Sequence, residues 1–172
     1  MSTLEETNQL HQNNKLNDSW VYYLHLHDNK DWSFESYINM LHVDNVESAV
    51  LLNDEIHYDL IKKSMMFFMK HHIKPLWEDS YNKNGGCFSF KISNKEIEKV
   101  WKRVFFHLVG CKLTKNPTIH QHINGITLSP KKKFCILKIW MDSCDYKDTD
   151  IFTPIQDLDF SGCLFKKHCP EY

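Results

Sequence analysis

The composition of the chain favours a single globular domain, because 172 residues with 42% hydrophobic side chains can bury a sizeable core. The 21 basic and 22 acidic residues nearly cancel, which argues against broad electrostatic binding to long nucleic acid and leaves room for a short anionic ligand on a local basic cluster. No apolar run approaches the length that a bilayer requires, so we expect no membrane segment.

The cysteines and histidines give no sequence pattern typical of a metal site. The six cysteines form no CxxC pair, and without an N-terminal signal segment we expect reduced thiols in the cytoplasm. Histidines occur in three close pairs: His25 and His27, His71 and His72, His120 and His122. Some pairs would share a strand face and others would not, so no common ligand geometry emerges. We expect no metal and no cofactor.

The N-terminal half begins with a tail and continues with a strand and a helix. Residues 1–15 are polar and aperiodic, which predicts a flexible tail. The segment from Trp20 to His27 is rich in aromatic and β-branched residues, which is typical of a strand. The stretch from Asn45 to Ile56 predicts a short helix with Asp44 or Asn45 as its N-cap.

The clearest predicted element is the helix that ends at Gly110. Ser93 and Glu96 form a capping-box pattern at its start. Apolar residues follow at helical spacing: Ile97, Val100, Trp101, Val104, Phe105 and Leu108. One face of this helix is therefore predicted to pack on the core, while the other carries basic residues to solvent or to a partner.

Four further segments predict strands. "SMMFFMKHH" and "CFSFKIS" flank a loop that contains Trp77, and residues 122–130 and 134–141 predict a hairpin joined by "PKKK". Strands interrupted by amphipathic helices favour an α+β domain. We expect a curved antiparallel β-sheet with two or three helices packed on its convex face, and a slot for a flat ligand on the concave side.

The segment "IKPLWEDSYNKNGGCFSF" resembles the signature loop of the messenger-RNA cap-binding translation initiation factor 4E family. "WVYYLHLHDNKDW" is similar to the first strand and first cap-stacking Trp of the family, and "GITLSPKKKFCILKIW" to its phosphate-binding region. The resemblance extends from about Leu16 to Cys144. It implies a single cap-binding domain over residues 16–172.

The resemblance implies a complete site for the 7-methylguanosine cap. Trp32 and Trp77 would stack on the two faces of the base, which carries a positive charge when N7 is methylated. Glu78 would accept hydrogen bonds from the guanine N1–H and exocyclic amine. Trp140 would lie against the N7-methyl group.

The phosphate positions match the family only in part. Lys131 and Lys133 fall at the two positions that match the phosphate-binding Arg and Lys of the family, with Lys132 between them. Cys87 stands where the family has an Arg, and Ile136 where it has a Lys. We therefore expect weaker or rearranged phosphate contacts.

The partner surface differs further from the family. The usual scaffold protein and repressors bind the helical back of the domain, on a surface that here includes Val46, Val50, Lys102 and Arg103. Val50 replaces a Trp anchor, and Lys102 and Arg103 replace a Leu-Glu pair. We expect a scaffold partner that is acidic or otherwise non-standard, or none at all. Such changes would suit a divergent or virus-encoded homologue, acting in the host cytoplasm in the viral case.

Two alternatives to a non-enzymatic cap-binding protein stay open at this point. A cap or nucleotide hydrolase would need a carboxylate cluster for a metal or an activated nucleophile, and the sequence shows neither pattern. The other alternative is an interaction protein that keeps the fold and has lost the ligand, which the departures at Cys87 and Ile136 make conceivable.

Overall fold

The computed structural model describes residues 14–168, which form one seven-stranded antiparallel sheet with short helices. The spatial order of the strands is β2-β1-β3-β5-β6-β4-β7. Their bounds in chain order are β1 Lys15–Leu26, β2 Ile38–Asn45, β3 Ser64–Lys70, β4 Gly86–Ser93, β5 Ile123–Pro130, β6 Phe134–Met141 and β7 Leu164–Lys167. The predicted hairpin is confirmed as β5 and β6, which pair from Ile123 with Met141 to Pro130 with Cys135.

The described residues contain four α-helices, two of them very short. Their bounds are α1 Val46–Glu55, α2 Tyr58–Lys63, α3 Ile97–Val109 and α4 Pro117–His120. Single 3-10 turns cover Phe34–Ser36 and Thr149–Ile151. None of the helices within residues 14–168 is both long and apolar enough to cross a membrane.

The predicted start of α1 is confirmed, and that of α3 is wrong. The side chain of Asn45 accepts a hydrogen bond from the backbone N–H of Ser48 at 2.8 Å, so Asn45 is the cap. Ser93 does not cap α3, because it is the last residue of β4 and pairs there with Phe134. The helix begins at Ile97 after Glu96, whose side chain makes no capping bond.

Two apolar clusters lie on the opposite faces of the sheet because successive strand residues alternate between them. On β1, Trp20 and Tyr22 belong to the larger cluster, which contains the buried residues of the helices, including Trp101. Val21 and Tyr23 belong to a smaller cluster on the other face, together with Trp140. The helices thus cover one face, and the second face is left for a ligand. Trp20 and Trp101 are both core residues, and the packing of Trp101 is as predicted.

The two ends of the chain are described only in part. The predicted flexible tail, residues 1–15, lies almost wholly outside the described residues, and β1 already begins at Lys15. Toward the C-terminus, β7 pairs with β4 from Gly86 with Lys167 to Ser89 with Leu164. This pairing adds a last strand to the sheet beyond the segment that contains Pro154.

Candidate functional site

A cavity of about 380 Å³ opens on the sheet face opposite the helices. The structure brings four of the predicted site residues, Trp32, Trp77, Glu78 and Trp140, to its wall. Eight further residues complete the lining: Tyr37, Met65, Phe67, Pro75, Leu76, Thr127, Ser129 and Lys138. An apolar cavity of this size with few polar groups is typical of a site for a small organic ligand.

Trp32 is held in place although 51% of its surface is exposed. The imidazole of His25 stacks on the indole with ring centroids 4.0 Å apart and planes 5° apart. The ring N–H of His25 donates to the backbone carbonyl of Asp31 at 2.7 Å, and the Asp31 carboxylate accepts from the backbone N–H of Ser33 at 2.8 Å. Hydrogen bonds of the residues just before and just after Trp32 therefore fix the loop, and the indole ring stays accessible.

The loop that carries Trp77 is organised by the carboxylate of Asp79. One Asp79 oxygen accepts from the backbone N–H of Lys74 at 3.1 Å, and the other from the backbone N–H of Tyr81 at 2.9 Å. Asp79 thus closes the loop on itself, while Trp77 stays 41% exposed. In the sequence Trp-Glu-Asp, the third residue has a structural role that leaves the second free for a ligand.

Asn82 fastens the same loop to the sheet. It is 0% exposed, and its amide group donates to the carbonyls of Lys74 at 3.0 Å and Leu76 at 2.7 Å. Its side-chain oxygen accepts from the amide of Asn124 on β5 at 2.9 Å. The residues just before Trp77 are therefore anchored by a buried and satisfied polar side chain.

Glu78 is exposed at the cavity wall, and its carboxylate has no hydrogen-bond or ion-pair partner among residues 14–168. Its charge acts on the neighbouring phenol. Burial raises the pKa of Tyr37, and the Glu78 carboxylate raises it further. Glu78 is therefore a free acceptor at the edge of an apolar cavity.

Trp140 forms a buried part of the cavity wall. It is 2% exposed, and its indole N–H donates to the hydroxyl of Thr127. The imidazole of His168 packs on it with ring centroids 4.6 Å apart and lies 6.2 Å from the Trp77 ring. Burial lowers the pKa of His168 to about 4, and the nearby ammonium of Lys138 contributes to this shift. His168 is neutral near pH 7, and its ring packs against the indoles of both Trp77 and Trp140.

The structure separates the predicted phosphate lysines from the cavity. Lys131, Lys132 and Lys133 are exposed at the turn between β5 and β6 and do not line it. Lys138 does, and its ammonium lies 5.7 Å from the centroid of the Trp77 ring. The role of the three turn lysines stays a prediction.

Lys138 also helps to explain the departure at Cys87. Cys87 pairs with Trp140 on β6 and with Lys166 on β7, so these three side chains share one face of the sheet. Burial raises the pKa of the Cys87 thiol, and the charges of Lys138 and Lys166 oppose that shift. Two cations thus lie beside the position at which the family pattern has an Arg.

The predicted partner surface is exposed at α1 and partly occupied at α3. Val46 and Val50 are exposed, and so is Leu51 beside them. Arg103 is used within the chain, because its guanidinium donates to the backbone carbonyl of Gln156 at 3.0 Å and pairs with the carboxylate of Asp157. Part of the basic character expected at α3 is therefore neutralised internally.

Sequence reasoning missed Lys138, His168 and Asn82 for different reasons. Lys138 lies two positions before Trp140 on β6, so strand periodicity could have placed both side chains on the same face. The position of His168 depends on β7, which the sequence did not define. The role of Asn82 depends on a partner 42 positions away.

The fold and the site define a class of protein: an antiparallel α+β domain that presents two accessible indoles and a free carboxylate in one slot. The family model described as eukaryotic initiation factor 4E matches residues 15–159. The chain belongs to the eukaryotic initiation factor 4E family, a family of translation factors and not of enzymes. The hydrolase alternative therefore falls away.

Two relatives illustrate the range of the similarity. The eukaryotic translation initiation factor 4E of Candida glabrata is 30% identical over 99 residues, which cover 56% of this chain and 46% of that protein. A homologue from Acanthamoeba polyphaga mimivirus is 39% identical over 61 residues, which cover 36% of this chain and 22% of that protein. The matched region thus spans less than half of either relative.

Solved structures confirm the fold. A schistosome eIF4E in complex with m7GpppG and 4E-BP superposes with a TM-score of 0.64 at 25% identity. The superposition covers 77% of this chain and 74% of that one. The predicted antiparallel α+β fold is therefore confirmed as the fold of this family, and the structure shows that its sheet has seven strands.

Proposed function

We propose that this protein binds the 5′ 7-methylguanosine cap of messenger RNA and acts in, or competes with, cytoplasmic translation initiation. The observation that carries the proposal is the slot itself: Trp32, Trp77 and the carboxylate of Glu78, which has no partner within the described part of the chain, line one cavity of about 380 Å³. A site for methylated guanine needs two aromatic rings to stack on the base and one acceptor at its edge, and this cavity supplies all three groups.

The two indoles supply affinity and select the methylated base. Stacking of a base on one aromatic side chain contributes about 1–3 kcal/mol. Methylation of N7 makes the ring a cation, and a desolvated cation–π contact adds about 2 kcal/mol. The ammonium of Lys138 lies 5.7 Å from the centroid of the Trp77 ring, which is within the range of a cation–π contact.

Glu78 supplies the choice of guanine over adenine. Its carboxylate would accept from the N1–H and the exocyclic amine of guanine, a donor pair that adenine lacks. The backbone around it is held by Asp79 and Asn82, so the acceptor is positioned before the ligand arrives. Trp140, on the buried side of the cavity, is suited to contact the N7-methyl group.

The phosphates would leave the cavity along the face that carries Lys138. This ammonium lines the slot, and Lys166 lies near it beside Cys87. Lys131 and Lys133, with Lys132, would meet the outer phosphates from the turn. Lysines bind phosphate as point charges without the rigid fork of Arg, so the phosphate contribution should depend strongly on salt.

The partner surface follows from the exposed part of α1. Val46 and Val50 offer an apolar patch, and Lys102 adds a basic charge on α3. Since Arg103 already pairs with Asp157, we propose a scaffold partner that relies on apolar contact at α1 and carries acidic residues opposite Lys102.

Retention on immobilised 7-methyl-GTP tests the function. The wild-type chain should bind the matrix and elute with free 7-methyl-GTP, while GTP elutes it poorly. Glu78→Gln keeps the size of the side chain and removes its charge, so this variant should be retained weakly. Glu35→Gln, in the 3-10 turn and outside the cavity, is the matched control and should behave as wild type. Failure of the wild type to bind the matrix would indicate an interaction protein without a cap site, and equal elution by GTP and 7-methyl-GTP would contradict selection of the methylated base.

A further inference from the structure

A second cavity lies away from the slot, between the start of β1 and the end of α3. Three potential metal ligands meet at its wall: Asp18 on β1, Cys111 just after α3 and His120 at the end of α4. One ligand atom from each lies within 4.8 Å of the other two. Asp18 is far from Cys111 and His120 in the sequence, and the fold brings the three side chains together.

His120 is a buried and unsatisfied member of this group. His120 is 3% exposed, and neither ring nitrogen has a hydrogen-bond partner among residues 14–168. The Leu108 carbonyl approaches the ring without meeting hydrogen-bond geometry. A buried imidazole with both nitrogens unsatisfied costs free energy, because each polar atom has lost its water. A metal ion would satisfy one nitrogen directly.

The donor set fits zinc better than the other common divalent ions. A thiolate and an imidazole favour a borderline-soft ion, whereas Ca²⁺ and Mg²⁺ prefer oxygen ligands only. Two donors on one tetrahedral zinc lie about 3.5 Å apart, given bond lengths of about 2.0–2.3 Å. The three ligand atoms would therefore need to close by about 1 Å when the ion binds.

The charges around the cavity permit a divalent ion and limit its affinity. The Asp18 carboxylate and a Cys111 thiolate together offset the two charges of the ion. The ammonium of Lys70 also lines this cavity, and it donates to the backbone carbonyl of Gln121 at 2.8 Å. The site thus has one net positive charge when filled, and the adjoining open cavity provides water to screen it.

We propose that Asp18, Cys111 and His120 bind one Zn²⁺ ion, with a water molecule from the cavity as the fourth ligand. The ion ties the first strand to the end of α3 and to α4. It lies outside the aromatic slot, so the proposal is independent of cap binding. Three protein ligands and one water form an incomplete tetrahedral shell that is sensitive to chelators.

Cobalt(II) is the probe that tests this site, because a cobalt–thiolate bond gives a charge-transfer band in the near ultraviolet. The full chain, stripped with a chelator, should bind one equivalent of Co²⁺ with this band, and Zn²⁺ should displace it. Cys111→Ser should abolish the band. Cys144→Ser, also a partly exposed thiol but outside the group, is the matched control and should keep it.

Zinc affinity, measured by competition with a chromogenic chelator, gives the second readout. Asp18→Asn and His120→Gln should each weaken binding at least about tenfold. Zn²⁺ should also raise the melting temperature of the wild type and not that of Cys111→Ser. If His120→Gln fails to fold, Asp18→Asn and Cys111→Ser decide the matter. The absence of a charge-transfer band in the wild type, or an equal band in Cys111→Ser, would overturn the proposal.

Discussion

Replacing Asn82 with Ala should destabilise the protein by about 2–4 kcal/mol. The substitution removes three hydrogen bonds, to Lys74, Leu76 and Asn124, each worth about 0.5–1.5 kcal/mol net in the folded chain. The side chain is 0% exposed, so water cannot replace these partners without opening the loop. The carbonyls of Lys74 and Leu76 and the amide of Asn124 each lose one hydrogen bond, although each keeps a second one within the loop or to it.

Urea denaturation measures this loss as a lower unfolding midpoint with an unchanged slope. Asn84→Ala is the matched control, because Asn84 is exposed in the same loop and its side chain makes no hydrogen bond with the described residues. The same variant tests the positioning role of Asn82. Cap affinity should fall at least about tenfold, since the loop that carries Trp77 is no longer fixed before binding.

Two results would refute the reasoning on Asn82. If Asn82→Ala and Asn84→Ala are equally stable, the buried network does not hold the loop. If Asn82→Ala is destabilised but binds 7-methyl-GTP as tightly as wild type, the loop is ordered by the ligand and pre-positioning has no part in the affinity.

Three further predictions concern the walls of the slot. His25→Leu removes the ring stacked on Trp32 and should weaken 7-methyl-GTP binding several-fold without changing the preference over GTP, as measured by calorimetry. Lys138→Met should weaken binding of 7-methyl-GTP and leave binding of 7-methylguanosine, which has no phosphates, nearly unchanged. The affinity of the variant for 7-methyl-GTP should also depend less on salt than that of the wild type. The pKa of His168 is lowered from 6.5 to about 4 in the folded protein. Below pH 6.5 the unfolded chain therefore binds a proton that the folded protein does not, so the free energy of unfolding is highest above pH 6.5 and falls until the pH has passed through 4. His168→Phe should flatten thermal stability over this window, and an unchanged pH profile would contradict the assignment.

Much of the fold followed from local signals in the sequence. Alternating apolar residues defined the hairpin of β5 and β6, and helical spacing defined α3. The capping box at Ser93 failed because strand pairing with Phe134 outweighed a local hydrogen-bonding preference. β7 was undefined because its four residues are mostly exposed and take their structure from β4.

The site was predictable to the extent that a short segment contains it. Trp77 and Glu78 stood in one recognisable stretch, and the structure places them at one cavity with Trp32 and Trp140. Residues that act through distant contacts were not predictable. The candidate metal site was not predictable for the same reason. The sequence offers only histidines that are close together along the chain, whereas His120 meets Asp18 and Cys111 only in the folded chain.

Titration of the intrinsic tryptophan fluorescence with 7-methyl-GTP and, separately, with GTP tests the central claim most directly. Wild type should show quenching by 7-methyl-GTP with an affinity about 30-fold higher than for GTP, as a cation–π contribution of about 2 kcal/mol implies. Trp32→Ala and Trp77→Ala should each lose most of the affinity and of the preference. Equal responses to the two nucleotides, or full affinity in both variants, would contradict a cap stacked between these indoles.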